Sequence, residues 1–445
     1  MDLLLTGATV VTMNRDREVL PRADVLVQDG RIARVGRGLK VKGACRVLDL
    51  AGQVVMPGLI HGHLHACQTL FRGHADKREL LDWLKERIWP LEAAHDAASL
   101  RASADLTFAE LIRSGSTAAL DMGTVHHYDA VFESARDSGY RLVGGKAMMD
   151  SGAEVPRGLR ETTADSLSES LALMERWHGT HDNRLRYAFA PRFALSCTPE
   201  LLREVGRLSR EKGVRIHSHA SENRTETDVV RQVTGQDNIA FFHGLGLTGR
   251  HVTLAHCVWV EGTEQQLLRE SGTVVCHCPG SNLKLASGYA RIPELLQDGI
   301  PVALGADGAP CNNTLDLFHE MRLASVLHNP RVGPVAMTPM HVLEMATLHG
   351  ARALGLEDEV GSVEAGKRAD LTVVDMRGFH FCPLPDDVTG PLVYSARSTD
   401  VSHVLIDGKL VLREGELTTL DANAVLANAR TQATKLFARA KLKAS

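Results

Sequence analysis

Apolar residues along this chain fall into two rhythms. At the start, LLLTGATVVTM, ADVLVQDG and RIARVG are short apolar runs rich in branched side chains, the texture of strands rather than helices. The Asp-Gly at 29–30 separates two of them and predicts a tight hairpin turn. The same texture returns near the end in RADLTVVDM and VSHVLIDGKLVLREGEL, with a second Asp-Gly at 407–408. The two stretches are expected to pair into one small β-sandwich built from both chain ends.

Between them the rhythm changes. Apolar runs at 58–65, 117–123, 141–149, 185–192, 213–220, 251–257, 273–279 and 301–307 alternate with spacers of helix length. This alternation predicts an α/β chain closed into a parallel (β/α)₈ TIM barrel rather than an open sheet. The expected division is 1–56 for the N-terminal part of the sandwich, 57–359 for the barrel, and 360–445 for the rest of the sandwich plus a C-terminal helix. The Ala-rich DANAVLANARTQATKLFARAKLKAS reads as a surface helix lying on the barrel.

A length of 445 residues suits a barrel with an accessory layer, and 44% apolar residues supply a large core. A net charge of −4 with both signs interspersed argues against a general nucleic-acid or membrane binder. No window has the apolar length of a membrane span, and MDLLLTGATVV lacks the basic start of a signal peptide. The eight cysteines are scattered without a disulfide framework, so a cytosolic location is expected.

Histidine changes the picture, because several of the 21 stand inside short apolar runs. His63 and His65 end the first predicted barrel strand, His219 the fifth, His256 the sixth and Asp307 the eighth, with Glu222 just after the fifth. In a barrel of this kind those strand ends converge on one mouth. Alternation along a strand puts His63 and His65 on one face, a two-toothed grip for a metal ion. His61 shares that face one step deeper and is expected to pack or to support the ligands.

His63, His65, His219 and Asp307 give three imidazoles and one carboxylate. That set suits one divalent ion, Zn²⁺ first and Fe²⁺ as the alternative. Such an ion activates water for hydrolysis. The catalytic trio is then Asp307 to accept the water's proton, His256 to orient the attacking oxygen, and Glu222 to shuttle a proton to the substrate and its leaving group. A two-metal centre would call for an anionic bridge such as a modified lysine ending the fourth strand. That strand ends at Arg192, and Lys146 lies one strand away, so one ion is expected. In Cys276-His277-Cys278 the thiols and the imidazole would face opposite ways, which makes it packing rather than a metal site.

MPGLIHGHLH, IHSHASE, LAHC, SNLKLASG, LGADGAPCNN and VGSVEAGKRADLTVVD together resemble the amidohydrolase superfamily over essentially the whole chain. Within it the likeness is to the branch of purine deaminases and triazine hydrolases. That resemblance implies one zinc or iron, hydrolytic loss of ammonia or chloride, and homo-oligomers. QTLFRGHADKRELLDWLKERIWPLEA and NNTLDLFHEMRLAS resemble the deaminases of 5′-deoxyadenosine, methylthioadenosine and adenosylhomocysteine, in which the residue matching Glu92 binds ribose hydroxyls. GGKAMMD, ETTADSLSES and PRFALSC resemble guanine deaminase instead, in which the residues matching Gln68 and Arg192 contact the base. Arg157 and Arg160 remain further candidates for a ribose or carboxylate contact.

The leading expectation is a deaminase of 6-aminopurine nucleosides modified at the 5′ position, a small-molecule enzyme with Gln68, Glu92 and Arg192 binding substrate. Guanine deamination and hydrolysis of an aminotriazine stay open as alternatives. A non-catalytic protein on the same fold would be expected to lack a ligand or the shuttle, and this chain keeps all six residues.

Overall fold

The computed structural model describes residues 2–152 and 154–442. The first strands are β1 (Asp2–Val11), β2 (Val19–Gln28), β3 (Arg31–Gly36), β4 (Cys45–Asp49) and β5 (Gln53–Pro57). Near the other end lie β15 (Leu371–Asp375), β16 (Val401–Ile406), β17 (Lys409–Arg413) and β18 (Glu416–Leu417). They join in one nine-stranded sheet, in the order β18-β17-β16-β15-β5-β1-β2-β3 with β4 beside β1. The seam between the chain ends is the antiparallel pair β5–β15, from Leu371 opposite Pro57 to Asp375 opposite Gln53. Leu5, Val10, Val25, Val55, Leu371, Val373 and Leu405 give this sheet its own core. Both Asp-Gly turns have positive φ at each central residue, the primed geometry that matches strand twist.

The barrel strands are β6 (Leu59–Leu64), β7 (Ser116–Met122), β8 (Arg141–Gly145), β9 (Ala147–Met148), β10 (Leu185–Pro191), β11 (Arg215–Ala220), β12 (Val252–His256), β13 (Val274–His277) and β14 (Val302–Leu304). All eight predicted strand positions are present, the third broken into β8 and the short β9. Their order is sequential and parallel from β6 to β14. A bridge between Leu64 and Asp307 brings the two ends of this sheet together. Gly305 permits that approach: a Cβ there would lie 2.7 Å from the His63 carbonyl oxygen.

The helices between strands start and stop where local chemistry says they should. In Pro199–Lys212, Thr198 accepts from the Leu201 amide, Pro199 opens the first turn, and Gly213 ends it at φ 67°. The C-terminal helix Ala422–Ala440 packs on Ala97–Arg113, burying Leu436 and Phe437. The last three residues of the predicted helical segment, 443–445, lie outside the described residues. No described helix is long and apolar enough to cross a membrane.

Only Gly58 separates β5 of the small sheet from β6 of the barrel. A side chain there would collide with Thr117, since its Cβ would sit 2.1 Å from Thr117 Oγ1. The base of the barrel is tied to the small sheet by Arg141, at the start of β8. Its Nε donates to Asp370 Oδ2 at 2.6 Å and its Nη2 to Asp370 Oδ1 at 3.0 Å, with Asp407 also in contact.

Candidate active site

At the opposite end of the barrel the polar side chains converge. His63 Nε2 lies 3.2 Å from Asp307 Oδ1, and His65 Nε2 lies 3.4 Å from the same oxygen. His65 Nε2 and His219 Nε2 are 3.2 Å apart. A tetrahedron with metal–ligand arms of about 2.0–2.1 Å has edges of roughly 3.3–3.4 Å. The spacing therefore matches a set of ligands around one ion.

The hydrogen bonds behind these rings settle which nitrogen carries the proton. His65 Nδ1 donates to the Met122 carbonyl at 2.8 Å, and His219 Nδ1 donates to the Arg192 carbonyl at 2.8 Å. A carbonyl only accepts, so each Nε2 in the neutral ring presents a bare lone pair. Burial, reinforced by the neighbouring His63, pushes His65 down to about 3 and His219 well below the usual imidazole value. Two lone pairs 3.2 Å apart, beside a carboxylate, repel unless a cation lies between them. His63, His65 and Asp307 offer ligand atoms all within 4.8 Å of one another, as do His63, His219 and His256. The donor set fits a divalent cation.

Asp307 sits three residues beyond β14 rather than on it. Burial alone would raise its carboxyl, but the hydrogen bond and charge of His63, with His256 and His65, hold it well below the usual value. Ser281 Oγ donates to Oδ2 at 2.6 Å, and the Gly308 amide donates to Oδ1 at 2.7 Å. His256 and Asp307 both adopt positive φ, 70° and 62°, a conformation that aims their side chains across the mouth at the cost of local strain.

His256 Nε2 is 3.4 Å from Glu222 Oε2 and 3.9 Å from Asp307 Oδ2. Asn282 Oδ1 accepts from its Nδ1 at 2.9 Å, which orients the ring. Burial lowers the His256 value, but Glu222 and Asp307 outweigh it and leave it raised. Burial pushes the Glu222 carboxyl up to about 7, against the opposing pull of His256.

Structure and expectation differ around the three residues assigned to substrate. Arg192 lines the cavity together with Phe193, Leu80, Trp83, Leu84, the three site histidines His65, His219 and His256, Glu222 and Asp307. Glu92 and Gln68 stand behind Arg192. Arg192 Nη1 donates to Glu92 Oε2 at 2.5 Å and Nη2 to Oε1 at 3.2 Å, while Gln68 Nε2 donates to Oε1 at 2.9 Å. Arg157 and Arg160 are exposed and do not line the cavity. His61 is buried beside β14, with the Ala306 amide 3.4 Å from its Nδ1. Lys146 is buried against Glu161 at 2.5 Å. His277 points away from the barrel interior toward His328, whose ring centroid is 6.1 Å away, whereas Cys276 faces Gly62 inside.

Four supporting residues escaped the sequence reading: His217, which meets His63 Nδ1 at 2.8 Å, and Ser281, Asn282 and Ser287. His217 was within reach, because it shares strand parity with His219. The other three lie in SNLKLASG, where nothing in the spacing marks them as contacts of residues on other strands.

The amidohydrolase-family profile matches residues 54–411. The chain is 38% identical over 429 residues to a 5-methylthioadenosine/S-adenosylhomocysteine deaminase of Moorella thermoacetica, covering 96% of this chain and 97% of that one. It is 36% identical over 440 residues to a 5′-deoxyadenosine deaminase of Methanosarcina acetivorans, covering 99% of each. It also superposes on the crystal structure of an adenosine deaminase from Xanthomonas campestris with bound zinc. There the TM-score is 0.92 at 31% identity, over 98% of this chain and 99% of that one. With a profile match across most of its length and full-length relatives of this similarity, the chain belongs to the amidohydrolase family.

Proposed function

We propose that this protein is a metal-dependent hydrolytic deaminase of 6-aminopurine nucleosides modified at the 5′ position, converting them to the 6-oxo product and ammonia. The observation that carries the reading is that His256 Nε2 lies 3.4 Å from Glu222 Oε2 and 3.9 Å from Asp307 Oδ2, beside the crowded imidazoles. Full-length similarity to deaminases of such nucleosides supports the substrate class. Three imidazoles and a carboxylate favour zinc, held by His63, His65, His219 and Asp307. A bound ion supplies Lewis-acid activation of water.

The chain's own residues do the rest. Asp307 accepts a proton from the attacking water, and Ser281 keeps its Oδ2 in place. His256 Nε2 orients the incoming oxygen toward C6. Glu222, whose carboxyl is pushed up to about 7, gives its proton to ring nitrogen N1, takes one from the attacking oxygen as the C6 carbonyl forms and passes it to the departing amine, and the proton held by Asp307 then reloads Glu222. The cavity beside these groups is small, about 30 Å³. Leu80, Trp83 and Leu84 form the apolar side of the cavity that a nucleoside would enter. This apolar wall suits an uncharged 5′ group better than a phosphate.

A guanine-deaminase reading is favoured by one observation: Arg192, whose guanidinium only donates hydrogen bonds, is among the residues lining the cavity. The reading extends to a homo-oligomer in the cytosol with no nucleic-acid partner, which sedimentation and fractionation would test. The decisive assay is ammonia release from 5′-deoxyadenosine, methylthioadenosine, adenosylhomocysteine, guanine and a chlorotriazine, with zinc or iron loaded. Turnover of the nucleosides is expected. A higher kcat/KM for guanine, or no nucleoside turnover, overturns the leading reading.

A further inference from the structure

The segment that carries Glu222 from β11 into the next helix is fixed from two sides. Its first residue, Ser221, has φ 52°, in the left-handed region that a serine adopts when its surroundings impose it. The Ser221 carbonyl accepts the amides of Val258 at 2.9 Å and Trp259 at 3.0 Å, and the Ala220 carbonyl accepts that of Cys257 at 3.0 Å. The segments after β11 and β12, which bear Glu222 and His256, are thus stitched together along one edge.

The other side rests on one carboxylate. Glu226 stands in the first turn of the helix Arg224–Thr234 and is 2% exposed. Its Oε2 accepts from the Glu222 amide at 2.7 Å and from the Asn223 amide at 3.4 Å. A glutamate three residues past a helix cap ordinarily bonds the amide of the cap itself, here Asn223. In this chain the shorter bond goes one residue further back, to Glu222. Glu226 Oε1 accepts from Asn238 Nδ2 at 2.5 Å, and Asn238 is buried at the start of the helix Asn238–Gly244. The carboxylate is therefore braced from another helix while it holds the Glu222 main chain. The Glu222 carboxyl is held more loosely, with Ser287 Oγ 3.4 Å from Oε1 and His256 Nε2 3.4 Å from Oε2, so its place is set largely by the main chain that carries it.

Resting on the shuttle role given to Glu222, we infer that Glu226 is a positioning residue for it, acting through the Glu222 amide rather than on the substrate. A proton shuttle has to reach both N1 and the departing amine, and a misplacement of about 1 Å in such a group costs up to about a hundredfold in rate. Glu226 also contributes to the cavity wall, which makes a direct contact with substrate the competing role. Glutamine at 226 keeps an oxygen for the Glu222 amide, and its NH₂ can turn to Asn238 Oδ1, which is buried without a partner. Leucine offers neither bond.

The test measures kcat and KM for methylthioadenosine with full-length zinc-loaded protein as wild type, Glu226→Gln, Glu226→Leu, Glu222→Gln and the double variant Glu226→Leu with Glu222→Gln. Glu226→Leu is expected to lower kcat about 10–100-fold with KM and metal content unchanged, and Glu226→Gln to recover kcat to within about threefold of wild type. The double variant is expected to be no slower than Glu222→Gln alone. A raised KM at unchanged kcat, or a full additional loss in the double variant, overturns the inference. Should thermal melts show Glu226→Leu unfolded, Asn238→Ala, which removes only the brace, carries the test: a lowered kcat at unchanged KM supports the inference and an unchanged kcat overturns it. The shuttle reading fails separately, through undiminished turnover by Glu222→Gln or no turnover by wild type. The crystal structure of whichever variant folds then decides. Glu222 Oε2 is expected to leave its 3.4 Å approach to His256 Nε2, and an unmoved Glu222 refutes the positioning role whatever the substrate.

Discussion

The barrel buries a polar cluster at each end, and the two are built on opposite principles. At the base, Arg141 meets Asp370 through two parallel hydrogen bonds and touches Asp407, so the donors of a cation are matched to the acceptors of anions. Arg368 joins the same network, donating to Asp407 at 3.2 Å and to Glu359 at 2.8 Å. At the mouth, His65 and His219 aim unprotonated nitrogens at one another, and His63 and Asp307 crowd the same space. One cluster is complete as the chain makes it. The other is a set of lone pairs whose geometry suits a shared cation. Burial and polarity are common to both, so neither separates function from scaffolding; the separating property is whether the groups satisfy each other.

That contrast can be broken in order of effect. Glu222→Gln keeps the size of the side chain and removes its transferable proton. We expect kcat to fall by about 10²–10⁴-fold with metal content and melting temperature nearly unchanged, read by steady-state assay and metal analysis. Arg141→Met should do the reverse. It leaves Asp370 buried without its cation and should cost about 3–5 kcal/mol of stability, read by urea unfolding, while residual folded protein keeps its kcat. Equal loss of kcat in both variants would mean that the two ends are not separable. Stripping the ion with a chelator should lower the melting temperature, because an ion that binds only the folded chain stabilises it. Zinc should restore both melting temperature and activity, and His65→Ala should not respond.

The smallest effect concerns the loops that support the mouth. Burial pushes the Glu320 carboxyl up to about 7, although Gly280 N and Asn312 Nδ2 donate to it. Its folded value therefore lies above its ordinary one. As pH rises from about 4.5 to 7, the unfolded chain gives up this proton first, so the group's contribution to stability is intact below that window and lost above it. Glu320→Gln does not ionise, and its stability relative to wild type should improve by about 1–3 kcal/mol between pH 5 and pH 8. A pH-independent difference would show that Glu320 is not the titrating group.

The architecture was legible because each strand is a local run of apolar residues, and because strand ends in a closed barrel have only one place to meet. His63, His65, His219, His256 and Asp307 could be assigned to a common mouth without knowing any distance. Glu92 and Arg192 could not be paired in this way. They are 100 residues apart, and nothing in either segment states that one carboxylate will be consumed by the other. Ser281 and Asn282 were hidden for the same reason, since each acts on a residue from a different strand. Asp307 was readable as a position but not as a conformation: its positive φ depends on β14 closing against β6.

The seam between β5 and β15 also bears on how the protein is made. A ribosome delivers β5 and the His63 strand early, but the partner of β5 emerges only near the end of synthesis. Until then the nascent chain presents one unpaired sheet edge immediately upstream of the strand leading to His63 and His65, an invitation to pair with the wrong neighbour. Cellular yield should therefore hinge on what shelters that edge during translation, and a chain cut before 371 would keep its barrel sequence while leaving the edge permanently open.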